Sequence, residues 1–283
     1  MAELLKGAPV AGAIIERLIA RAGQLRSRGV VPTLAIVRVG ERCDDLAYEN
    51  AAIRRCDKIG IAVRRFRLEP DVDQDRLLEV LEEINQDKGI HGCLMFRPLP
   101  KHIDERIVCQ ALNASKDVDC MTDRSLAGVF TGKGPGFPPC TAQAVMEILE
   151  YYGVELEGRH ATVIGRSLVI GKPVAMLLQA KNATVTMCHS KTRDIAGICR
   201  QADILVAAVG HAGTVTPEFT NPGQIIVDVG INSLPEGGLT GDVDFAAVEP
   251  MVKAITPVPA GVGSVTTAVL CKHLIEASER AAV

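Results

Sequence analysis

The residues best equipped for chemistry form one string, Ala161-Thr162-Val163-Ile164-Gly165-Arg166-Ser167-Leu168-Val169-Ile170-Gly171-Lys172-Pro173. A β-branched stretch runs into Gly165, a glycine recurs at 171, and Pro173 falls in the first turn of the helix that follows. Glycine lets the backbone approach a pyrophosphate, and the helix N-terminus adds unpaired N–H groups and partial positive charge. Ser167 stands where G-x-G-x-x-G has its second glycine, so the string also fits an ordinary tight strand-to-helix turn. The next apolar stretch ends in Cys188-His189-Ser190-Lys191-Thr192. Selectivity for a free ribose calls for Asp or Glu at that strand end; a hydroxyl and a cation, with Arg166 nearby, suit a 2′-phosphate. NADP is therefore expected over NAD, although Lys191 taken alone also fits a solvated surface charge. Gly210 and Gly230 follow two more apolar runs, at strand carboxyl ends where cofactors dock.

These residues need a parallel sheet to hold them, and the chain alternates strand and helix throughout. Helices are expected over 7–28, 44–59, 74–86, 104–112, 141–152, 172–181 and 194–201, with a last one from about 265. Strands are expected over 32–40, 61–68, 89–96, 160–164, 184–188, 204–209 and 224–229. The reading is an α/β protein with mostly parallel sheets. Gly132-Lys133-Gly134-Pro135-Gly136-Phe137-Pro138-Pro139 is the Gly/Pro-richest stretch and marks a boundary. The expected domains are 1–138 joined by 266–283, and a Rossmann-like 139–265, with the last helix returning to the first domain.

The 283 residues are 47% hydrophobic and carry a net charge of −3, which disfavours a strongly basic nucleic-acid binder. No apolar run is long enough for a membrane helix, and the first residues lack the order of a secretory signal. A cytoplasmic location is expected. The nine cysteines form no C-x-x-C pair, which favours reduced thiols over a disulfide framework, and no metal site is expected. Without Trp, and with 3% aromatics, stacking on nucleic-acid bases is disfavoured.

Taken in order, Gly165-Arg166-Ser167, Gly171-Lys172-Pro173, Ser190, Asp228-Val229-Gly230-Ile231-Asn232, Gly241-Asp242-Val243-Asp244 and Thr256-Pro257-Val258-Pro259 are highly specific. Together with Tyr48, Pro98-Leu99-Pro100-Lys101 and Lys116-Asp117-Val118-Asp119, they resemble the methylenetetrahydrofolate dehydrogenase/methenyltetrahydrofolate cyclohydrolase family over essentially the whole chain. The resemblance implies two α/β domains with a folate cleft between them, and a homodimer. It implies NADP-dependent oxidation of 5,10-methylenetetrahydrofolate, followed in most members by hydrolysis of the methenyl product to 10-formyltetrahydrofolate. It assigns Gly165, Arg166, Ser167, Ser190 and Ile231 to the cofactor. It assigns Tyr48 and Asp119 to the folate site, with Asp119 accepting hydrogen bonds from the pterin ring.

The departures concentrate on the folate side. The family's Tyr-Val-x-x-Lys reads Tyr48-Glu49-Asn50-Ala51-Ala52, so Ala52 replaces the catalytic lysine. Val-Gln-Leu-Pro-Leu-Pro reads Met95-Phe96-Arg97-Pro98-Leu99-Pro100, so Phe96 replaces the glutamine. Cys120 and Ala260 stand at family glycines. Losing one member of a hydrogen-bonded pair strands the other at ~1–3 kcal/mol, whereas apolar replacement of both can be close to neutral. Ala52 and Phe96 read as such a paired replacement, which leaves Asp119 without its cationic neighbour. Hydrolysis needs a base, and Arg55, one turn beyond Ala52, stays protonated. Lys58 is expected to face solvent, and His91 and His102 to be surface histidines. Hydride transfer mainly needs the reactants held face to face. The expected activity is a dehydrogenase with weak or absent cyclohydrolase. The alternatives are a silent NADP-binding paralogue, an oxidoreductase on another cyclic amine or imine, and a fully bifunctional enzyme.

Overall fold

The computed structural model describes residues 1–235 and 237–282. In chain order the first half contains β1 (Glu3–Leu4), α1 (Gly7–Ser27), β2 (Thr33–Val39), α2 (Cys43–Ile59), β3 (Ala62–Leu68), α3 (Gln74–Gln86), β4 (Gly92–Met95), α4 (Glu105–Ala111) and α5 (Asp123–Thr131). The second contains α6 (Cys140–Tyr151), β5 (His160–Ile164), α7 (Gly171–Gln179), β6 (Thr184–Cys188), α8 (Ile195–Arg200), β7 (Ile204–Ala207), β8 (Ile225–Asp228), β9 (Asn232–Ser233), β10 (Leu239–Thr240), α9 (Phe245–Val248), β11 (Ala254–Ile255) and α10 (Thr266–Ala281). Among the described residues no helix is long and apolar enough to cross a membrane.

The chain divides into two compact units, Ala13–Cys140 with Thr267–Val283, and Met1–Gly12 with Thr141–Thr266. The return of the last helix to the first domain matches expectation. The placement of the first dozen residues does not. Glu3 and Leu4 pair in parallel with Ala254 and Ile255, and the Gly7 amide donates to the Ala260 carbonyl at 2.8 Å. These backbone bonds tie residues 1–12 to the second unit, and two residues are too few to announce themselves as a strand.

The first unit holds a parallel three-stranded sheet in the order β3-β2-β4. Every residue of β2 is buried, as a central strand of a covered parallel sheet requires, whereas β3 at the edge has no buried residue. Leu77, Val80, Leu81 and Ile84 of α3 pack with Ala35, Val37 and Val39 of β2 in one core. Helix α2 has Asp44 and Asp45 in its first turn, favourable to its dipole, and ends at Gly60 in the left-handed region (φ 86°). Helix α5 was not anticipated; Thr122 caps it by accepting from the Ser125 amide, and Gly132 (φ 69°) ends it.

The second unit holds a parallel six-stranded sheet in the order β1-β11-β8-β7-β5-β6. Chain direction reverses at β5, which is followed by β6 on one side and β7 on the other. The carboxyl end of β5 is therefore a topological switch point, where open α/β sheets take their ligands. Strand β7 was expected to reach 209 but stops at Ala207, because the Val209 and Gly210 amides turn to the Asp242 carboxylate.

Candidate active site

Gly165 follows β5 directly at the switch point, with φ 130°. A Cβ there would lie 2.2 Å from the Ala208 carbonyl oxygen, and a Cβ on Gly171 would lie 2.4 Å from that of Gly165. Both positions are closed to any side chain, so each presents bare backbone. Ser167 Oγ accepts from the Ile170 amide at 3.1 Å and the Gly171 amide at 3.4 Å, closing the loop onto the start of α7. Arg166, Ser167 and Ser190 are exposed. Ser190 tips a turn after β6 in which Thr192 Oγ1 accepts from the His189 amide at 2.9 Å. Gly165, Arg166, Ser167 and Ser190 thus follow the carboxyl ends of adjacent strands. The cradle and its exposed cation and hydroxyls fit a dinucleotide.

Two buried carboxylates fix the neighbouring loops. Asp228, at the end of β8, accepts from the amides of Gly230 (2.9 Å), Asp242 (3.0 Å) and Val243 (2.9 Å). Asp242 accepts from the amides of Val209 (2.6 Å) and Gly210 (2.9 Å), and from Asn232 Nδ2 at 3.0 Å. Burial pushes the Asp228 carboxyl up to about 6, against the pull of its three amide donors. A Cβ on Gly241 would meet the Asp228 carboxylate and one on Gly230 that of Asp242, so both glycines are fixed by the network. Ile231, 63% exposed, lines a cavity of about 250 Å³ with Gly230, Pro257, Pro259 and Gly263.

The expected folate residues lie in the first unit, around a second switch point, since β2 is followed by β3 on one side and β4 on the other. Tyr48 projects half-buried from α2 and Phe96 half-buried from the end of β4, where its amide donates to the Val37 carbonyl at 3.1 Å. Their rings meet edge to face, centroids 6.0 Å apart and planes at 82°. Ala52 is fully buried one turn beyond Tyr48. Asp119 follows a turn pinned by Asp117, which accepts from the Met121 and Thr122 amides at 2.9 Å and from Ser125 Oγ at 2.6 Å. Asp119 itself accepts from the Cys140 amide at 3.1 Å, and burial raises its carboxyl above the usual carboxylate range.

Several features went unread in the sequence. Arg38 of β2 and Glu49 of α2 form a buried ion pair, Nε to Oε2 2.8 Å, each side chain 4% exposed. Asp45 is buried 3.5 Å from Arg42, and burial raises its pKa. Arg97, in the turn after β4, has Nη1 3.9 Å from Glu105 Oε1 of α4. Glu49 adjoins Tyr48, and Arg97 adjoins Phe96. His91 is buried, not on the surface; its Nδ1 accepts from the Thr33 amide at 3.3 Å, and burial lowers its pKa. His102 is exposed and bonds the Val72 carbonyl at 2.8 Å, and Lys58 faces solvent. Arg55 is half-buried, and its Nη1 has no hydrogen-bond partner. Among the described residues no group of three or more His, Cys, Asp or Glu could hold a metal.

Two family matches agree with this layout. The tetrahydrofolate dehydrogenase/cyclohydrolase catalytic domain matches residues 5–119, and the NAD(P)-binding domain of the same enzymes matches 139–282. The chain belongs to the tetrahydrofolate dehydrogenase/cyclohydrolase family. The bifunctional protein FolD of Carboxydothermus hydrogenoformans is 54% identical over 99% of this chain and 98% of its own. The structure of bifunctional FolD from Campylobacter jejuni superposes with a TM-score of 0.96, at 35% identity and 99% of both chains. The Trypanosoma brucei dehydrogenase-cyclohydrolase, solved with NADP and an inhibitor, has a TM-score of 0.91 at 34% identity, covering 99% of this chain and 98% of its own. The NAD(P)-binding match falls mostly in the second unit, and the catalytic-domain match mostly in the first.

Proposed function

We propose that this enzyme oxidises 5,10-methylenetetrahydrofolate to 5,10-methenyltetrahydrofolate with NADP, and that its cyclohydrolase step is weak or lost. Gly165, Ser167 and the start of α7 would hold the pyrophosphate, Arg166 and Ser190 the 2′-phosphate, and Ile231 the nicotinamide side. When bound, the cofactor supplies the hydride acceptor. The chain's own task is then positional: Asp119 accepts hydrogen bonds from the pterin ring, and the Tyr48 and Phe96 rings flank it with apolar surface. The methylene carbon gives up a hydrogen with its electron pair, and no proton needs to move.

The observation that carries the loss of hydrolysis is Ala52, fully buried beside an aromatic pair. Hydrolysis requires a water delivered to the methenyl carbon and a proton accepted from it near neutral pH. Arg55 cannot accept that proton. Lys58 faces solvent, and His91 lies at the opposite end of β4 from Phe96 with its Nδ1 engaged. The family resemblance adds a homodimer to this reading.

The test is a paired assay with purified protein, NADP and 5,10-methylenetetrahydrofolate. NADPH formation is followed separately from decay of methenyl absorbance above the uncatalysed rate. Hydride transfer without accelerated decay supports the proposal. Accelerated decay would show a fully bifunctional enzyme, as the name of the 54%-identical relative states for that protein. NADP binding without hydride transfer would favour a silent paralogue or another cyclic amine.

A further inference from the structure

We propose that the cavity between the 87–91 turn, the Ser115-Lys116 turn and the end of α10 is a further ligand site, built for a small phosphate monoester. It lies within the first unit, at the other end of β4 from the expected folate residues: Ile90 and His91 precede the strand and Phe96 follows it.

The cavity measures about 310 Å³ and is lined by Lys88, Lys116, Arg280 and His91, with Ile90 and Ala277 giving it an apolar wall. Among the described residues that line it there are three cations and no carboxylate. The acids adjoining these residues in the chain are engaged elsewhere. Asp87 pairs with Arg64, Glu276 and Glu279 with Arg21, and Asp117 holds the Met121 and Thr122 amides. The positive charge of the cavity is therefore left for a ligand to meet.

Two of the cations are held in place by groups that carry no net charge. Lys116 Nζ donates to the carbonyls of Ile84 (2.6 Å), Asn85 (3.0 Å) and Asp87 (2.7 Å), which caps the end of α3. Arg280 Nη1 donates to the Pro135 carbonyl at 2.9 Å, and its guanidinium lies 4.3 Å over the Phe137 ring. Its remaining N–H groups suit an oxyanion that accepts two parallel hydrogen bonds. Lys88 is exposed and adds a movable third charge. His91 Nδ1 accepts from the Thr33 amide, so the neutral ring carries its hydrogen on Nε2, a further donor. Three cations match a group that is close to doubly charged at neutral pH, as a phosphate monoester is and a single carboxylate is not. The volume falls at the lower end of small-molecule pockets, ~300–1,000 Å³, which leaves room for an organic part against Ile90 and Ala277.

The test uses the full-length protein saturated with NADP, so that the phosphate-binding turn of the other unit is already filled. The backbone amide and ring of His91 are followed by NMR while ribose 5-phosphate, inorganic phosphate or acetate is added at constant pH and ionic strength. Ribose 5-phosphate should move the His91 signals saturably, with a Kd about threefold below that of inorganic phosphate and at least about tenfold below that of acetate. K88Q and R280Q should each weaken it about tenfold, and K88Q/R280Q should abolish saturable binding, with NADP affinity within about twofold of the parent. Absence of any His91 shift overturns the proposal, as does acetate binding as tightly as ribose 5-phosphate, or unchanged affinity in folded K88Q/R280Q. Inorganic phosphate binding as tightly as ribose 5-phosphate overturns the monoester assignment. If R280Q does not fold once released from Phe137, K88Q against K88E carries the comparison, with the larger loss expected from K88E.

Discussion

Both units of this protein use the same topological device and furnish it differently. Each has a strand flanked on its two sides by the next strands in the chain, β5 in the NAD(P)-binding unit and β2 in the other. At β5 the surrounding loops are held by backbone: glycines that admit no Cβ, and two buried aspartates gripping five amides and one side-chain amide. At β2 one buried carboxylate, Asp117, grips two amides, and the rest is held by side-chain pairs, Arg38 with Glu49 and Tyr48 with Phe96, with Arg97 beside Glu105. A backbone-held site has little freedom to vary, because any change at Gly165 or Gly241 collides with main chain or with a structural carboxylate. A site held by side chains can change two residues at a time. The departures expected from the sequence, at Ala52 and Phe96, lie there.

The largest effect that would sharpen the contrast is a gain. Replacing both altered positions, A52K with F96Q, should accelerate methenyl hydrolysis by about 10²–10⁴-fold, the usual contribution of a positioned base. Either substitution alone should give less than a tenth of that, and equal rates for single and double variants would break the pairing argument. Next is the ion pair. E49A leaves the buried Arg38 guanidinium only the Gly40 carbonyl and a 3.9 Å contact to Glu41, and should cost about 3 kcal/mol in denaturant unfolding, whereas the double change R38M/E49L should cost about 1 kcal/mol or less. Similar losses from both would show that the side-chain-held site is no freer than the other. In the cofactor unit, D242A leaves three donors unsatisfied and should cost about 3 kcal/mol, weakening NADP binding with it. Rescue by a second substitution is not expected, because backbone amides cannot be exchanged. The smallest effect concerns two non-glycine residues with positive φ. Cys120 and Ala260 sit in the left-handed region, at φ 58° and 80°, so C120G and A260G should each stabilise by about 1 kcal/mol. No change in thermal midpoint for either would mean that local packing already offsets the backbone strain.

How much could be read in advance follows from where each residue's partner lies. Strands β5 and β6 and helix α3 match expectation residue for residue, because β-branched runs and an Asp73 cap specify them locally. The glycines of the cofactor turn were legible because their role is steric and nearby. Helix α5 was hidden beside the Gly/Pro stretch, although Thr122 and Gly132 mark its ends. The two-residue strands β1, β9 and β10 exist only through their pairing. His91 looked like a surface residue because nothing adjacent reveals the Thr33 amide 58 positions away.

The pairing of β1 with β11 also sets a clock on biosynthesis. Glu3 and Leu4 leave the ribosome about 250 residues before their partners Ala254 and Ile255, roughly 10–50 s at ordinary elongation rates. Until then this edge of the six-stranded sheet cannot close, and a nascent chain stalled before residue 254 displays β8 as an open edge available to other chains.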